Sequence, residues 1–173
     1  MLSYKNIIFL ISFSFIALTA NAKTLTGKVV KIVDGDTVHI LVEGNQIEKI
    51  RLAGIDTPEI RPSQAFGKAA KRKLIELLDE RYKVTIEWGD RDRYKRIVGK
   101  VIQKDVDINL QLVKAGYAWH YKKYQDEQSK EDRKLYSQAE LKARELKLGL
   151  FSDPHSIPPW EFRKLAREQR AKK

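Results

Sequence analysis

Three acidic side chains, Asp36, Asp56 and Glu59, and two arginines, Arg51 and Arg96, stand in three short segments of this chain: Asp34-Gly35-Asp36-Thr37, Arg51-Leu52-Ala53-Gly54-Ile55-Asp56-Thr57-Pro58-Glu59, and Asp92-Arg93-Tyr94-Lys95-Arg96. Carboxylates supply oxygen ligands, which suit a hard cation such as Ca²⁺ or Mg²⁺. Guanidinium supplies a planar pair of donors that matches two phosphate oxygens and never loses its charge. The two sets together are what hydrolysis of a phosphodiester requires. The ester is already anionic and repels an incoming hydroxide, and the five-coordinate transition state gathers more negative charge. A bound divalent cation offsets that charge and lowers the pKa of its own water. The absence of cysteine and the scatter of the three histidines, His39, His120 and His155, argue against zinc.

Each segment also has a plain structural reading. Asp34-Gly35 is a turn dipeptide, Asp36-Thr37 a turn cap, and Asp56-Thr57-Pro58-Glu59 a turn or a helix start. In a chain this basic, any arginine chosen blindly is a solvated surface group. The order and spacing of the three segments are what raise them above these readings. Convergence carries one condition. Arg51 and Asp56 are an odd number of residues apart, so a continuous strand would point them to opposite faces. They meet only if the strand ends or bulges, for which Gly54 is the natural place.

The elements that must position these groups are legible as periodicity. Leu25 to Val33, Thr37 to Glu43 and Gln46 to Ala53 alternate with period two and read as a three-strand meander, with Asp34-Gly35 in a tight turn that favours positive φ and Glu43-Gly44-Asn45 as the second turn. A helix is expected from Pro62 and Ser63 onward, its apolar positions running from Ala65 to Leu78. Tyr82 to Trp88 and Ile97 to Ile102 are two more strands. Asp107 to Ala115 is a short helix. Ser129 to Leu148 is a long charged one with Leu135, Ala139, Ala143 and Leu146 as its apolar stripe, and a basic tail is helical from Trp160. Five strands with a helix after the third and helices at the end predict an α+β fold: a five-stranded OB-fold β-barrel with three helices and a C-terminal basic tail.

The chain has 173 residues, a net charge of +11 and no cysteine. It is long enough for one core without disulfides. The charge calls for a polyanionic partner. Residues 1–22 read as a cleaved signal peptide, with Lys5, an apolar run from Ile7 to Thr19, and the small-x-small site Ala20-Asn21-Ala22. A membrane anchor is the alternative, although the run falls short of the ~20 apolar residues a span needs. The expected division is therefore a leader over 1–22, one domain over 23–151 and a polar extension over 152–173, in a protein that is exported, periplasmic or secreted. Arg93, Lys95, Lys122 and Lys123 are expected to hold substrate. Tyr94, Tyr121 and Tyr124 lie among these charges and either stack on bases or cover the barrel edge. Trp88, Trp119 and Trp160 read as packing residues.

The three segments resemble the motifs of the staphylococcal nuclease (thermonuclease) family, in the same order. Asn109 before Leu112-Val113-Lys114-Ala115-Gly116 fits as well, and the tail Ile157-Pro158-Pro159-Trp160-Glu161 resembles that of exported bacterial members. The resemblance implies an OB-fold barrel and Ca²⁺-dependent hydrolysis of DNA and RNA at the P–O5′ bond, leaving 3′-phosphate ends; the chain is expected to act as a monomer. It implies Ca²⁺ bound by the side chains of Asp36 and Asp56 and the backbone carbonyl of Thr57. Arg51 and Arg96 would hold the phosphate, and Tyr94 would sit beside the nucleotide. Glu59 would orient or deprotonate the attacking water, and both roles stay open. Lys95 departs from the glycine common in the family just before Arg96, which puts the aim of Arg96 at issue. A non-catalytic OB-type module that binds nucleic acid by charge and stacking is the rival reading. A basic protein docked on anionic envelope lipid is the third.

Overall fold

The computed structural model describes residues 23–172, so the leader expected over 1–22 lies outside the described residues. Strands β1 (Lys23–Ile32), β2 (Thr37–Val42) and β3 (Gln46–Leu52) form the expected antiparallel meander. Strand β4 (Ile55–Asp56) follows at once, then helix α1 (Gly67–Leu77) and the hairpin of β5 (Val84–Arg91) and β6 (Ile97–Gln103). β5 pairs with the first half of β1, from Lys23 to Gly27. β6 then lies parallel to β3, with Ile50 opposite Ile97, Arg51 opposite Val98 and Leu52 opposite Gly99. That last pairing closes five strands into a mixed barrel of the OB type.

Alternation explains the barrel interior. Val38, Ile40, Ile50, Leu52, Val84, Ile86, Ile97 and Val101 all point inward and are buried. Each such side chain contributes about 1.5–3 kcal/mol relative to its exposed state. Strand β7 (Val106–Asp107) turns back to pair antiparallel with the end of β6, and helix α2 (Ile108–Lys114) begins there, with the Asp107 carboxylate accepting from the Leu110 amide at 2.9 Å. Strand β8 (Trp119–His120) pairs with β4 outside the main sheet. Helix α3 (Lys130–Glu145) is capped by Ser129, and helix α4 (Pro159–Ala171) ends the described chain. No helix among the described residues is long and apolar enough to cross a membrane.

Three expectations need correction. α1 starts at Gly67, not at Pro62. Residues 59–64 form a closed loop in which the Gln64 amide donates to the Glu59 carbonyl at 2.9 Å and the Glu59 amide to Gln64 Oε1 at 3.0 Å, and Phe66 stands at φ 66°. Hydrogen bonds that fold the segment back on itself leave no room for a helical turn there. The buried stripe of α3 is Tyr136, Ala139 and Ala143, whereas Leu135 and Leu146 are 47% and 55% exposed. Tyr136 takes the inner position because its hydroxyl donates to both Asp107 oxygens, at 2.9 and 3.0 Å. Gly35 does not have positive φ. What requires glycine there is close approach: a Cβ would stand 2.7 Å from Thr57 Oγ1 and 2.9 Å from the Ala70 methyl.

Candidate active site

Register brings the three segments to one place. Arg51, near the end of β3, faces Thr37 of β2 on one side and Val98 of β6 on the other. Asp36 immediately precedes Thr37, and Arg96 closely precedes Val98. The chain then breaks after Leu52, and Gly54 adopts φ +71°. This turn reverses the parity between Arg51 and Asp56, so both reach the same side. A Cβ on Gly54 would also lie 2.3 Å from the Gln128 side chain.

Arg51 joins the two aspartates. Its Nη1 lies 3.4 Å from Asp36 Oδ2, and its Nη2 donates to Asp56 Oδ1 at 3.1 Å. Asp36 Oδ2 also accepts from the amide and the hydroxyl of Thr57, both at 2.9 Å, and its Oδ1 accepts from the Thr37 hydroxyl at 3.2 Å. Asp36, Asp56 and Thr57 are all buried. Burial pushes the Asp56 carboxyl upward; hydrogen bonds from Arg163 counter this, and the nearby Asp36 charge adds to it. Burial and Asp36 likewise push Asp34 up to about 6. For Arg51, burial alone would lower the pKa, but the Asp36 and Asp56 carboxylates more than offset it.

This donor set fits a hard cation. Its ligands are all oxygen, and two desolvated carboxylates converge on Arg51. Three carboxylates are not gathered as a cage among the described residues. Glu59 is drawn instead to Arg163, whose Nη1 donates to Glu59 Oε1 at 2.6 Å. The Glu59 backbone is held by Gln64, so its side chain is presented from a fixed loop.

Arg96 is aimed by Asp92. Its Nε and Nη2 lie 2.8 and 2.7 Å from Asp92 Oδ2, and its Nη1 reaches Thr37 Oγ1 at 3.5 Å. Lys95 takes the left-handed conformation, φ 61°, so the turn keeps the geometry expected of glycine. Tyr94 is exposed, with the Arg93 and Arg96 guanidinium groups 4.8 and 5.5 Å from its ring centre. Tyr121 and Tyr124 pack edge to face at 4.9 Å on another wall. Asp36, Arg51, Asp56, Glu59, Arg96 and the three tyrosines line one cleft of about 1260 Å³, and Lys95 stands outside that lining.

Trp119 is buried, and Trp88 is partly buried against the core, as expected of packing residues. Trp160 differs. It stands in the cleft, stacked on Tyr121 with ring centres 4.9 Å apart and planes 3° from parallel. Sequence reasoning missed Arg163 altogether. The only available signal was its spacing from Trp160, which puts the two on one face of a helix.

A family model described as Staphylococcal nuclease homologue matches residues 49–153. An uncharacterized endonuclease of Haemophilus influenzae is 40% identical over 139 residues, covering 80% of this chain and 73% of its own. A micrococcal nuclease of Shigella flexneri is 37% identical over 150 residues, covering 82% of each. The protein ParB of Escherichia coli is 35% identical over 155 residues, covering 84% of this chain and 83% of its own. The matched span runs from β3 to the end of α3 and beyond and contains Arg51, Asp56, Glu59 and Arg96, so the barrel, the site and the sequence agree: the chain belongs to the staphylococcal nuclease family.

Proposed function

We propose that this protein is a Ca²⁺-dependent nuclease that hydrolyses DNA and RNA at the P–O5′ bond and leaves 3′-phosphate ends. Family membership supports a nuclease acting on nucleic acid. The observation that carries the finer reading is the Arg51 guanidinium placed between Asp36 and Asp56, at 3.4 and 3.1 Å. Asp36 and Asp56, with the Thr57 carbonyl, would hold Ca²⁺, which when bound neutralises phosphate charge and acidifies a water. Arg51 and Arg96 hold the phosphate and meet the charge that develops on it, each worth about 10²–10³ in rate. Glu59 positions the attacking water or takes its proton. Arg93, Tyr94, Tyr121 and Tyr124 line the path of the nucleotide.

The proposal includes export through a leader before Lys23, supported by the composition of residues 1–22, and action as a monomer. The test is turnover of DNA and RNA across a Ca²⁺ titration, with Mg²⁺ as comparator and the product ends analysed. Cleavage that follows Ca²⁺ and yields 3′-phosphates is the expected result. Retained binding without cleavage at any cation concentration would leave a binding module instead.

A further inference from the structure

Helix α4 lies beyond the span matched by the family model, yet it enters the site. Arg163 Nη2 donates to Asp56 Oδ2 at 2.7 Å, and Nη1 donates to Asp56 Oδ1 at 3.2 Å and to Glu59 Oε1 at 2.6 Å. With Arg51 also on Oδ1, both Asp56 oxygens are taken by guanidinium groups. A Ca²⁺ ligand oxygen must come within about 2.3–2.6 Å of the ion. Guanidinium groups on both oxygens compete with a cation for the same lone pairs and place positive charge beside them. Charge points in the same direction. Asp36, Asp56 and Glu59 are faced by Arg51 and Arg163. Arg163 sets a positive charge directly on the Asp56 and Glu59 carboxylates, which opposes a divalent cation at the same place.

Trp160 acts in parallel. One turn before Arg163, it covers a face of Tyr121 that a base could otherwise use. The helix is lightly attached. Pro159 is its only buried residue, and just ahead of it Gln64 donates to the Ile157 carbonyl at 2.9 Å. Elements with so little buried surface open at low cost.

We propose that α4 is a displaceable clasp, in which Arg163, anchored also on Glu59, holds the Asp56 carboxylate in place of the cation and must release it for the cation to bind. The inference rests on the Ca²⁺ site proposed above. A competitor lowers apparent affinity by the fraction of time the site is free. A clasp closed about nine-tenths of the time weakens cation binding about tenfold.

Calorimetric titration of the full mature chain with Ca²⁺ alone, without nucleic acid, tests this. Arg163→Gln should bind Ca²⁺ about tenfold more tightly than the parent, and Arg163→Lys should fall between them, with circular dichroism confirming the fold. In the parent, hydrogen exchange of the amides over 160–171 should accelerate when Ca²⁺ is added. Equal or weaker binding by a folded Arg163→Gln protein would overturn the clasp while leaving the Ca²⁺ site standing. So would exchange over α4 that Ca²⁺ does not change. Absence of Ca²⁺ binding by parent and variants alike would overturn the site and the clasp together.

Discussion

Lys95 holds φ 61° in the turn that presents Arg96, with its amide donating to the Asp92 carbonyl at 2.8 Å. The left-handed region costs a side-chain-bearing residue about 1–2 kcal/mol, and glycine gives back part of that through its freer unfolded chain. Lys95→Gly should therefore stabilise the protein by about 0.5–1 kcal/mol in urea denaturation; a destabilised variant would show that the turn is not strained. The departure from glycine thus costs stability, while Arg96 is held on Asp92 either way. Asp34 makes a second prediction. Its carboxyl sits above the ordinary aspartate value of 3.8, at about 6, through burial and the neighbouring Asp36. A raised acid pKa favours folding where the group is protonated, and that contribution fades as pH rises from about 4 through about 6. Its Oδ1 accepts from the Asp36 amide at 3.1 Å, which asparagine can also do. In chelator, Asp34→Asn should be more stable than the parent by about 1–2 kcal/mol at pH 8, discounted for partial exposure. The gap should vanish below pH 4, as read from denaturation midpoints. At Glu59, glutamine keeps size and acceptor but loses the charge, so Glu59→Gln should retain Ca²⁺ and substrate binding while turnover falls about 10²–10⁴-fold. Unchanged turnover would remove Glu59 from the chemistry.

Barrel closure and α2 are fixed to each other by one side chain. Asn109 is fully buried; its Nδ2 donates to the carbonyls of Ala53 and Gly99 at 3.0 and 3.2 Å, and its Oδ1 accepts from the Val101 amide at 3.1 Å. Ala53 lies at the chain break that turns Asp56 toward Arg51, so Asn109 links the helix to the site geometry. Asn109→Ala would strand buried backbone groups in β6 and at the break, and should cost about 2–4 kcal/mol in chemical denaturation. A loss under about 1 kcal/mol would mean that water replaces the amide. The strands around this junction were readable in the sequence because alternation is a local property, and so was the break at Gly54, because parity demanded one. Convergence of Arg51 with Arg96 was not readable from residues alone: it depends on the parallel pairing of β3 with β6, between segments far apart in the chain. The start of α1 was misplaced because Gln64 ties residues 59–64 into a loop, which apolar spacing does not register. In the α3 stripe, Ala139 and Ala143 were read correctly, and Leu135 gave way to Tyr136, which is buried through a polar contact with Asp107. Arg163 gave only the faint signal of its spacing from Trp160, since one arginine in a basic tail resembles the next until the fold seats it against Asp56.

A net charge of +11 acts on the molecule as a whole, but the cleft concentrates it. Around the acidic centre stand Arg93, Lys122, Lys123, Lys164 and Arg167, so negative ligands of the cation site lie inside a rim of positive charge. Such a rim attracts a phosphate backbone over distance, while the centre selects the one phosphate to be cut. The rim should therefore govern affinity and its salt dependence without sequence preference. For single strands, the slope of log K against log salt is about −0.7 for each phosphate neutralised. Binding of single-stranded DNA to the Glu59→Gln protein in Ca²⁺, where cutting is suppressed, should weaken steeply across a salt titration. Replacing Lys122 and Lys123 together by alanine should flatten the slope by about 1.4, two phosphates' worth, with a similar loss on every base sequence tried. Lys122 also lies 3.5 Å from Glu140, so a smaller change of about 0.7 would mean that this ion pair persists and only Lys123 meets the backbone. A slope unchanged by the double substitution would place the nucleic-acid track on the other wall, along Arg93 and Tyr94.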